Sequence, residues 1–451
     1  MRTTISACLA TLFFVSAAPI GAAAQEAARG YAAYTVYTYN GGPQGMAGRI
    51  RDAGTAITPI RNLRTGLNGD PQVEGVVPSG EKLRVAVTSR VAAPGAVPPT
   101  YIYNAVPATN PTPLASVTWP NVRNMAGLVR VGKYLYALDY DNARVVEINR
   151  STFEETGVAY TLPASLTPNG YVAHGQAIVE IDGALYGLFS FTDSSWSSYA
   201  KSLLVRFTIK GGSSIKVGAN NANPNFVANA FGLAVSGSDL YVAGLGGPQV
   251  SGTYNKKSRL QKIAYGATDL SAAKIKTVFK PSAENPYEVR DISFDGSTAY
   301  MLLGAYNASW QMSGKLVRTK NFTNLKTIND FSAGAPGYFW AAQYTPENNR
   351  IWFGRGNEIL VYDAASPKTP KAALTLTAGS LIGSGDPYDN INDLAYVGAK
   401  GAVTTVRGYR SPVQASLSQR AAAARAVTQG RPELTPAEAD LIGAEPAPAG
   451  K

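Results

Sequence analysis

Apolar and polar positions along this chain recur as one phrase: a short apolar strand, a tight turn containing glycine, and a second strand opening on Leu-Tyr or a near equivalent. It reads Leu128-Val-Arg-Val-Gly-Lys-Tyr-Leu135-Tyr136, then Ile178-Val-Glu-Ile-Asp-Gly-Ala-Leu185-Tyr186. It returns as Leu233-Ala-Val-Ser-Gly-Ser-Asp-Leu240-Tyr241 and as Ile292-Ser-Phe-Asp-Gly-Ser-Thr-Ala299-Tyr300, with weaker copies at Leu83-Arg84, Ile351-Trp352 and Ala402-Val403. Successive copies are 50 to 59 residues apart. A period of that length marks an array of equal supersecondary units. Gly-centred turns between short apolar runs make each copy a hairpin.

Each unit has room for four strands. In residues 174–218, Gln176 to Ile181, Ala184 to Phe191, Ser202 to Ile209 and Ser213 to Val217 read as strands, separated by Asp182-Gly183, a polar loop and Lys210-Gly211-Gly212. The same plan fits 71–118, 119–165, 166–218, 219–280, 281–333 and 334–380. A last unit, 392–410, holds only two strands; Tyr31 to Tyr39 and Gly48 to Ile60 supply the rest from the other end of the chain. The expected fold is therefore all-β: a β-propeller of seven four-stranded blades, six and eight being the alternatives, spanning residues 25–410. N- and C-terminal segments share one blade, which removes free sheet edges. Beyond Arg410 the composition turns Ala- and Arg-rich, and Thr435-Pro436-Ala437-Glu438 has the form of a capping box. Residues 411–451 are accordingly expected to be a short helical and partly disordered tail.

The stretch Leu135-Tyr-Ala-Leu-Asp-Tyr-Asp-Asn-Ala-Arg-Val-Val-Glu-Ile-Asn149 resembles a repeat of the YVTN/NHL-type bacterial propellers, and Ile351-Trp-Phe-Gly-Arg-Gly-Asn-Glu-Ile-Leu-Val-Tyr-Asp363 is a weaker match. The resemblance covers the repeat core, about 71–410, and implies the fold. It carries no catalytic residue: propellers of this kind include binding proteins, scaffolds and metal-dependent lactonases.

Residues 1–24 read as a cleaved signal peptide. Arg2 precedes an apolar run from Ile5 to Pro19, and Ala22-Ala23-Ala24 before Gln25 is a small-residue cleavage site. The expected location is the periplasm or the outside of the cell. Cleavage after about Ala24 removes Cys8, the only cysteine, and Arg2, leaving 40 basic against 30 acidic residues. These charges are scattered, with Lys256-Lys257 and Arg259 the densest group, so no compact nucleic-acid module is expected. No run is long enough for membrane insertion by a helix.

Elimination narrows the chemistry. One histidine and no mature cysteine exclude c-type haem, iron–sulfur clusters and ordinary structural zinc. No Gly-x-Ser-x-Gly elbow accompanies His174, and phosphate-binding glycine loops are absent. What remains is oxygen chemistry, with no resident cofactor expected unless it is calcium. Aligning the units places Asn124, His174, Asn229, Glu288 and Asn390, with Gln72, four positions before the first apolar anchor, near one mouth of a central channel. Just before the anchor stand Gly127, Ala177, Gly232, Asp291 and Asp393. Glu288, Asp291, Asn390 and Asp393 are the candidate metal ligands, and Asn124 and Asn229 candidate ligand contacts. The same column also reads as strand-end groups satisfied by one another and by water.

Loops on the same face carry aromatics beside hydroxyls and amides: Trp196 and Tyr199, Tyr254, and Tyr306 with Trp310. Flat apolar faces with polar neighbours suit glycans or peptides. The reading these features favour is an exported, non-enzymatic binding or scaffold propeller with a glycan, peptide or envelope-protein partner. One alternative is a calcium-dependent lactonase-like hydrolase with His174 as base. Another is a purely structural envelope component.

Overall fold

The computed structural model describes residues 31–38, 44–52, 57–68, 72–76, 84–88, 97–104, 112–210, 214–216, 221–252, 255–267, 269–308, 312–331, 341–345, 348–356, 358–375, 390–398 and 401–402. Within them the protein is an all-β propeller whose sheets are antiparallel meanders. Blade 1 comprises Gln72–Val76, Arg84–Thr88, Thr100–Asn104 and Ala115–Val117. Blade 2 comprises Met125–Val131, Tyr134–Asp139, Arg144–Asn149 and Glu155–Thr161. Blade 3 comprises Val172–Ile181, Ala184–Thr192 and Tyr199–Lys210, and its third strand pairs with two short outer pieces, Ser214–Lys216 and Ala222–Phe226. Blade 4 runs from Ala230–Ser236 to Lys276–Phe279, blade 5 from Glu288–Asp295 to Lys326–Phe331, and blade 6 from Ala341–Thr345 to Pro370–Thr375. Five of these blades fall inside the boundaries expected from the repeat; blade 3, expected to end at 218, extends through Ala222–Phe226.

The expectation of seven four-stranded blades is corrected. Six blades are built from contiguous sequence, and the remaining sheet is a composite of five strands. It joins Tyr31–Thr38, Gln44–Asp52 and Ile57–Asn68 to Asn390–Gly398 and Gly401–Ala402. The N-terminal segment supplies three strands where two were expected, and one of them, Tyr31–Thr38, pairs antiparallel with Asn390–Gly398. Asn390–Gly398 also lies between the first strands of blades 6 and 1, so the ring closes there. The expected tail, 411–451, and the expected signal peptide, 1–24, lie outside the described residues. Among the described residues helix is limited to 3-10 turns, such as Ala164–Leu166.

The repeated phrase has a packing role. The first strand of each blade lies at the axis, and each seam between neighbouring blades is filled by apolar side chains from both. Leu138, Tyr140 and Val145 of blade 2 meet Ile178, Phe189 and Phe191 of blade 3. Ala177, Leu188 and Leu204 of blade 3 meet Leu233, Val242 and Ile263 of blade 4. The recurring tyrosines are buried in these seams with their polar ends engaged: Tyr136 Oη donates to Glu147 at 2.9 Å, and Tyr186 Oη donates to the Tyr265 carbonyl at 2.8 Å. Tyr300 stacks on Tyr344 of the next blade at 5.3 Å. The Asp182-Gly183 turn has φ of 51° and 78°, the left-handed pair that a two-residue hairpin with the right twist requires.

Candidate functional site at one mouth of the ring

The register shows why the polar column and the long loops share an end. Met125 faces Asp139, Val172 faces Thr192, Ala230 faces Gly244 and Glu288 faces Gly304. The start of each axial strand therefore lies beside the end of the second strand, from which the loop to the third strand departs. The first strand also carries a feature that the spacing did not reveal. In blades 2 to 5 its ladder shifts register two residues after the column position, leaving Ala126, Gln176, Phe231 and Arg290 as extra residues; Asn392 is the extra residue in the composite sheet. Such bulges re-aim side chains and cluster near functional sites.

His174 is buried and lies in a three-ring cluster. Its ring is 4.5 Å from that of Tyr140 and 4.8 Å from that of Trp196, and the two flanking rings are nearly parallel at 6.4 Å. Nε2 lies 3.1 Å from Thr192 Oγ1. Burial pushes the imidazole down to about 4, against a smaller upward pull from the Tyr140 carbonyl, so it is neutral at pH 7. Next to it, Gly175 permits close approach of blades 2 and 3: a Cβ there would stand 2.7 Å from both the Asp139 carbonyl oxygen and Leu138 Cγ.

Trp196 is presented by a loop built around Asp193. Its carboxylate accepts the Ser197 N–H at 2.8 Å, the Ser197 hydroxyl at 2.7 Å and the Ser195 hydroxyl at 3.1 Å. These donors, Ser197 foremost, hold the Asp193 carboxyl below its usual range. The Trp196 N–H donates to the Asp193 carbonyl at 3.2 Å, and Trp196 adopts φ of 58°. A bulky residue in the left-handed region stores strain. The loop holds the indole, half-buried, against His174.

Of the other column residues, Asn124 is joined to this cluster, its carbonyl accepting the Tyr140 N–H at 2.7 Å, while Asn229, Glu288 and Asp291 have partners elsewhere. Asn124 Nδ2 donates to Asp141 at 3.0 Å, while Asp139 accepts the N–H groups of Arg123 and Asn124 at 3.0 and 2.9 Å and so caps the strand entry. Asn229, at φ 48°, donates to the Gly247 carbonyl at 2.9 Å. Glu288 forms a buried ion pair with Arg290 at 2.7 Å. Gln249 of blade 4 donates to both Glu288 oxygens at 3.2 and 3.3 Å and accepts from Arg290 at 2.8 Å. Arg290 also lies over the Tyr306 ring at 5.2 Å, placing Tyr306 in this buried seam. Asp291 accepts the Ile292 N–H on one oxygen and the Ala342 N–H of blade 6 on the other, both at 2.9 Å. Among the described residues no group of three or more His, Cys, Asp or Glu is placed to hold a metal ion. Tyr254 and Trp310, and the side chains of Asn390, Asp393 and Gln72, lie outside the described residues. Tyr199 begins the strand that follows the Trp196 loop.

No protein-family model matches this chain, and no curated protein matches it. Solved structures do. A Bacteroides fragilis protein designated a 6-phosphogluconolactonase aligns at 13% identity over 82% of this chain and 98% of its own, with a TM-score of 0.53. A Bacteroides uniformis protein of the same designation aligns at 14% identity over 82% and 99%, also with a TM-score of 0.53. The periplasmic gluconolactonase PpgL of Pseudomonas aeruginosa aligns at 14% identity over 78% and 98%, with a TM-score of 0.51. The likeness is one of fold. The YVTN/NHL resemblance likewise stands at the level of the propeller.

Sequence reasoning picked out His174 and Trp196 separately and missed what unites them. Tyr140 falls in the stretch that resembles the propeller repeat, and Thr192 falls at the start of the expected polar loop, whereas in the structure it ends the second strand. Gln176 was an available signal: a polar residue two positions after His174 in an otherwise apolar axial strand.

Proposed function

We propose that this protein is an exported propeller that binds a neutral, hydroxyl-rich ring, a glycan or a single sugar, at the mouth beside Trp196. The observation that carries this reading is the half-buried Trp196 ring, fixed in a strained backbone conformation by the Asp193 loop and backed by His174 and Tyr140. An indole held rigid before the ligand arrives loses little entropy on binding, and its flat face suits the apolar face of a sugar. The surrounding hydroxyls of Ser195, Ser197 and Ser198 suit its rim. Isothermal titration with D-glucose, D-galactose, D-mannose and D-glucono-1,5-lactone tests the proposal. Wild-type protein is expected to bind at least one of these, and Trp196→Ala to lose at least tenfold in affinity. Equal affinities in the two proteins refute the site.

The second reading is hydrolysis of a sugar lactone at the same mouth. The names of three structural neighbours raise it, and the neutral His174 beside the Thr192 hydroxyl gives it a base in this chain. A conjugate acid near 4 makes that base a weak one, because proton abstraction is most effective when the pKa lies near the working pH. Calcium held by Glu288, Asp291, Asn390 and Asp393 belongs to this reading. It would require Glu288 to leave Arg290 and Gln249, and Asp291 to leave two backbone donors. A pH-stat assay with glucono-1,5-lactone separates the readings: turnover above the spontaneous rate, lost in His174→Asn, favours the hydrolase.

A further inference from the structure

The end of the ring opposite the Trp196 mouth carries a cluster of cations on blade 2. Gly132 and Lys133 turn the axial strand Met125–Val131 into Tyr134–Asp139. The chain that follows Arg144–Asn149 folds back beside them, the Arg150 N–H donating to the Lys133 carbonyl at 3.2 Å. Two guanidinium groups meet there. Arg130 Nε and Arg150 Nη1 both donate to the Gly132 carbonyl oxygen, each at 3.3 Å, so the two donor nitrogens are no farther apart than twice that distance. Both contacts are exposed to solvent. Lys133, also exposed, adds a third charge, its ammonium 5.1 Å from the centre of the Tyr134 ring.

The backbone that presents these charges is fixed. Asn149 Oδ1 accepts the N–H groups of Ser151 and Thr152 at 2.8 and 3.3 Å, and the Asn149 carbonyl accepts the Phe153 N–H at 2.8 Å. The repeat does not call for the cations. At the places of Arg130 and Lys133 in the same phrase, blade 3 has Glu180 and Gly183, blade 4 Val235 and Ser238, and blade 5 Phe294 and Ser297. All of them form the same hairpin. Two neighbouring carboxylates answer other groups: Glu147 accepts the hydroxyls of Tyr136 and Thr156, and Glu180 accepts the Gly183 N–H. Glu154, exposed in the Arg150 turn, sets one negative charge against three positive ones. Each arginine has further interactions in the protein, so what the turn offers is converging charge rather than idle donors.

We infer that the turn bearing Arg130, Lys133 and Arg150 is a binding site for a phosphate group. Like charges brought this close repel one another, and an anion between them relieves the repulsion. Guanidinium forks match the oxygens of phosphate and hold them by charge-assisted hydrogen bonds. Three cations favour a dianion over a carboxylate, which brings a single charge. A free phosphate compound and a phospholipid head group carry the same chemistry.

The experiment follows the arginine Nε–H signals of the full chain by ¹⁵N NMR as inorganic phosphate is added at constant ionic strength, with acetate as the carboxylate control. Loss of one signal in Arg130→Lys and of another in Arg150→Lys identifies the pair. Phosphate is expected to move both signals and to bind about tenfold more tightly than acetate. Arg130→Gln combined with Arg150→Gln should weaken it about tenfold. Lys256→Gln combined with Lys257→Gln removes as much charge from the densest basic group in the sequence and should leave the affinity unchanged. Lys133→Gln, an exposed change outside both guanidinium contacts, should weaken binding about threefold at an unaltered melting temperature. Flotation with phosphatidylglycerol and phosphatidylcholine vesicles tells the two sources apart. Capture by the first alone, lost in the double arginine variant, points to a lipid head group; phosphate binding without capture points to a soluble compound. Equal weakening by the two double variants overturns the site, since net charge alone then draws the anion. Arginine signals unmoved by phosphate overturn it as well. Neither result touches the sugar-binding reading, which concerns the other end of the ring.

Discussion

His174 offers a direct test of how the mouth is built. Two effects compete over its charge. Burial disfavours the imidazolium and pushes the group from 6.5 to about 4. At about 1.4 kcal/mol for each tenfold change, that is about 3 kcal/mol. The aromatic faces of Tyr140 and Trp196, at 4.5 and 4.8 Å, would favour the cation, by about 2 kcal/mol for a desolvated cation–π contact. Burial wins, and the midpoint should stay well below 6.5. The single imidazole resonance of the tag-free protein, followed by NMR from pH 8 to pH 3.5, measures it without assignment. Stability should follow. Between the unfolded value of 6.5 and the folded value the unfolded chain binds a proton that the folded protein does not, so stability is lost as pH falls through that window. Against His174→Asn, wild type should lose up to about 3 kcal/mol more between pH 7 and pH 4 in urea titrations. A midpoint at or above 6.5, or stability curves for the two proteins that run parallel, would refute the argument and place the ring in water.

Other outcomes follow from the same contacts. Gly175→Ala drives a methyl group into the Asp139 carbonyl and Leu138, and should destabilise by about 1–3 kcal/mol, read as a lower melting temperature with Trp196 fluorescence altered. Glu288→Ala leaves Arg290 buried without its counter-ion and should cost about 3–5 kcal/mol, whereas Glu288→Met with Arg290→Leu should recover much of that loss; equal losses would show the pair to be solvated. Melting with EDTA and with excess calcium should coincide, because Glu288 and Asp291 already have protein partners; an upward shift of several degrees with calcium would support the hydrolase reading instead.

The blades were legible because their signal is periodic and local. Gly-containing turns and a buried Tyr at the same place in successive units fix hairpins without reference to the rest of the chain. Pairing of the two chain ends was legible as well, since an incomplete last unit needs strands from elsewhere. The third N-terminal strand, Ile57–Asn68, and the split outer edge of blade 3 were not, because nothing in a run of residues states how many neighbours a sheet edge will accept. At the mouth, residue type alone does not give each side chain's partners. Asp291 and Glu288 carry the chemistry of cation ligands, and the fold pairs Asp291 with Ala342 of the next blade and Glu288 with Arg290 two residues along its own strand. The His174 cluster depends on blade 2 meeting blade 3, a contact between residues 140, 174 and 196 that no local spacing encodes.

The composite sheet dictates an order of events. Tyr31 pairs with Val397 across more than 360 residues, while every other blade is completed within one stretch of chain. As the polypeptide emerges, blades 1 to 6 can assemble in turn from local contacts, and the N-terminal strands must wait with one edge unmatched. Closing so long a loop adds only slowly to the entropic penalty, about 0.6 kcal/mol per doubling of length, so the delay is one of timing more than of energy. During it, an exposed strand edge is a template for pairing with a second chain. A circular permutant with linked ends and new termini between blades 2 and 3 would make that pairing a neighbouring step. It should refold faster and aggregate less, with the Trp196 mouth assembled last.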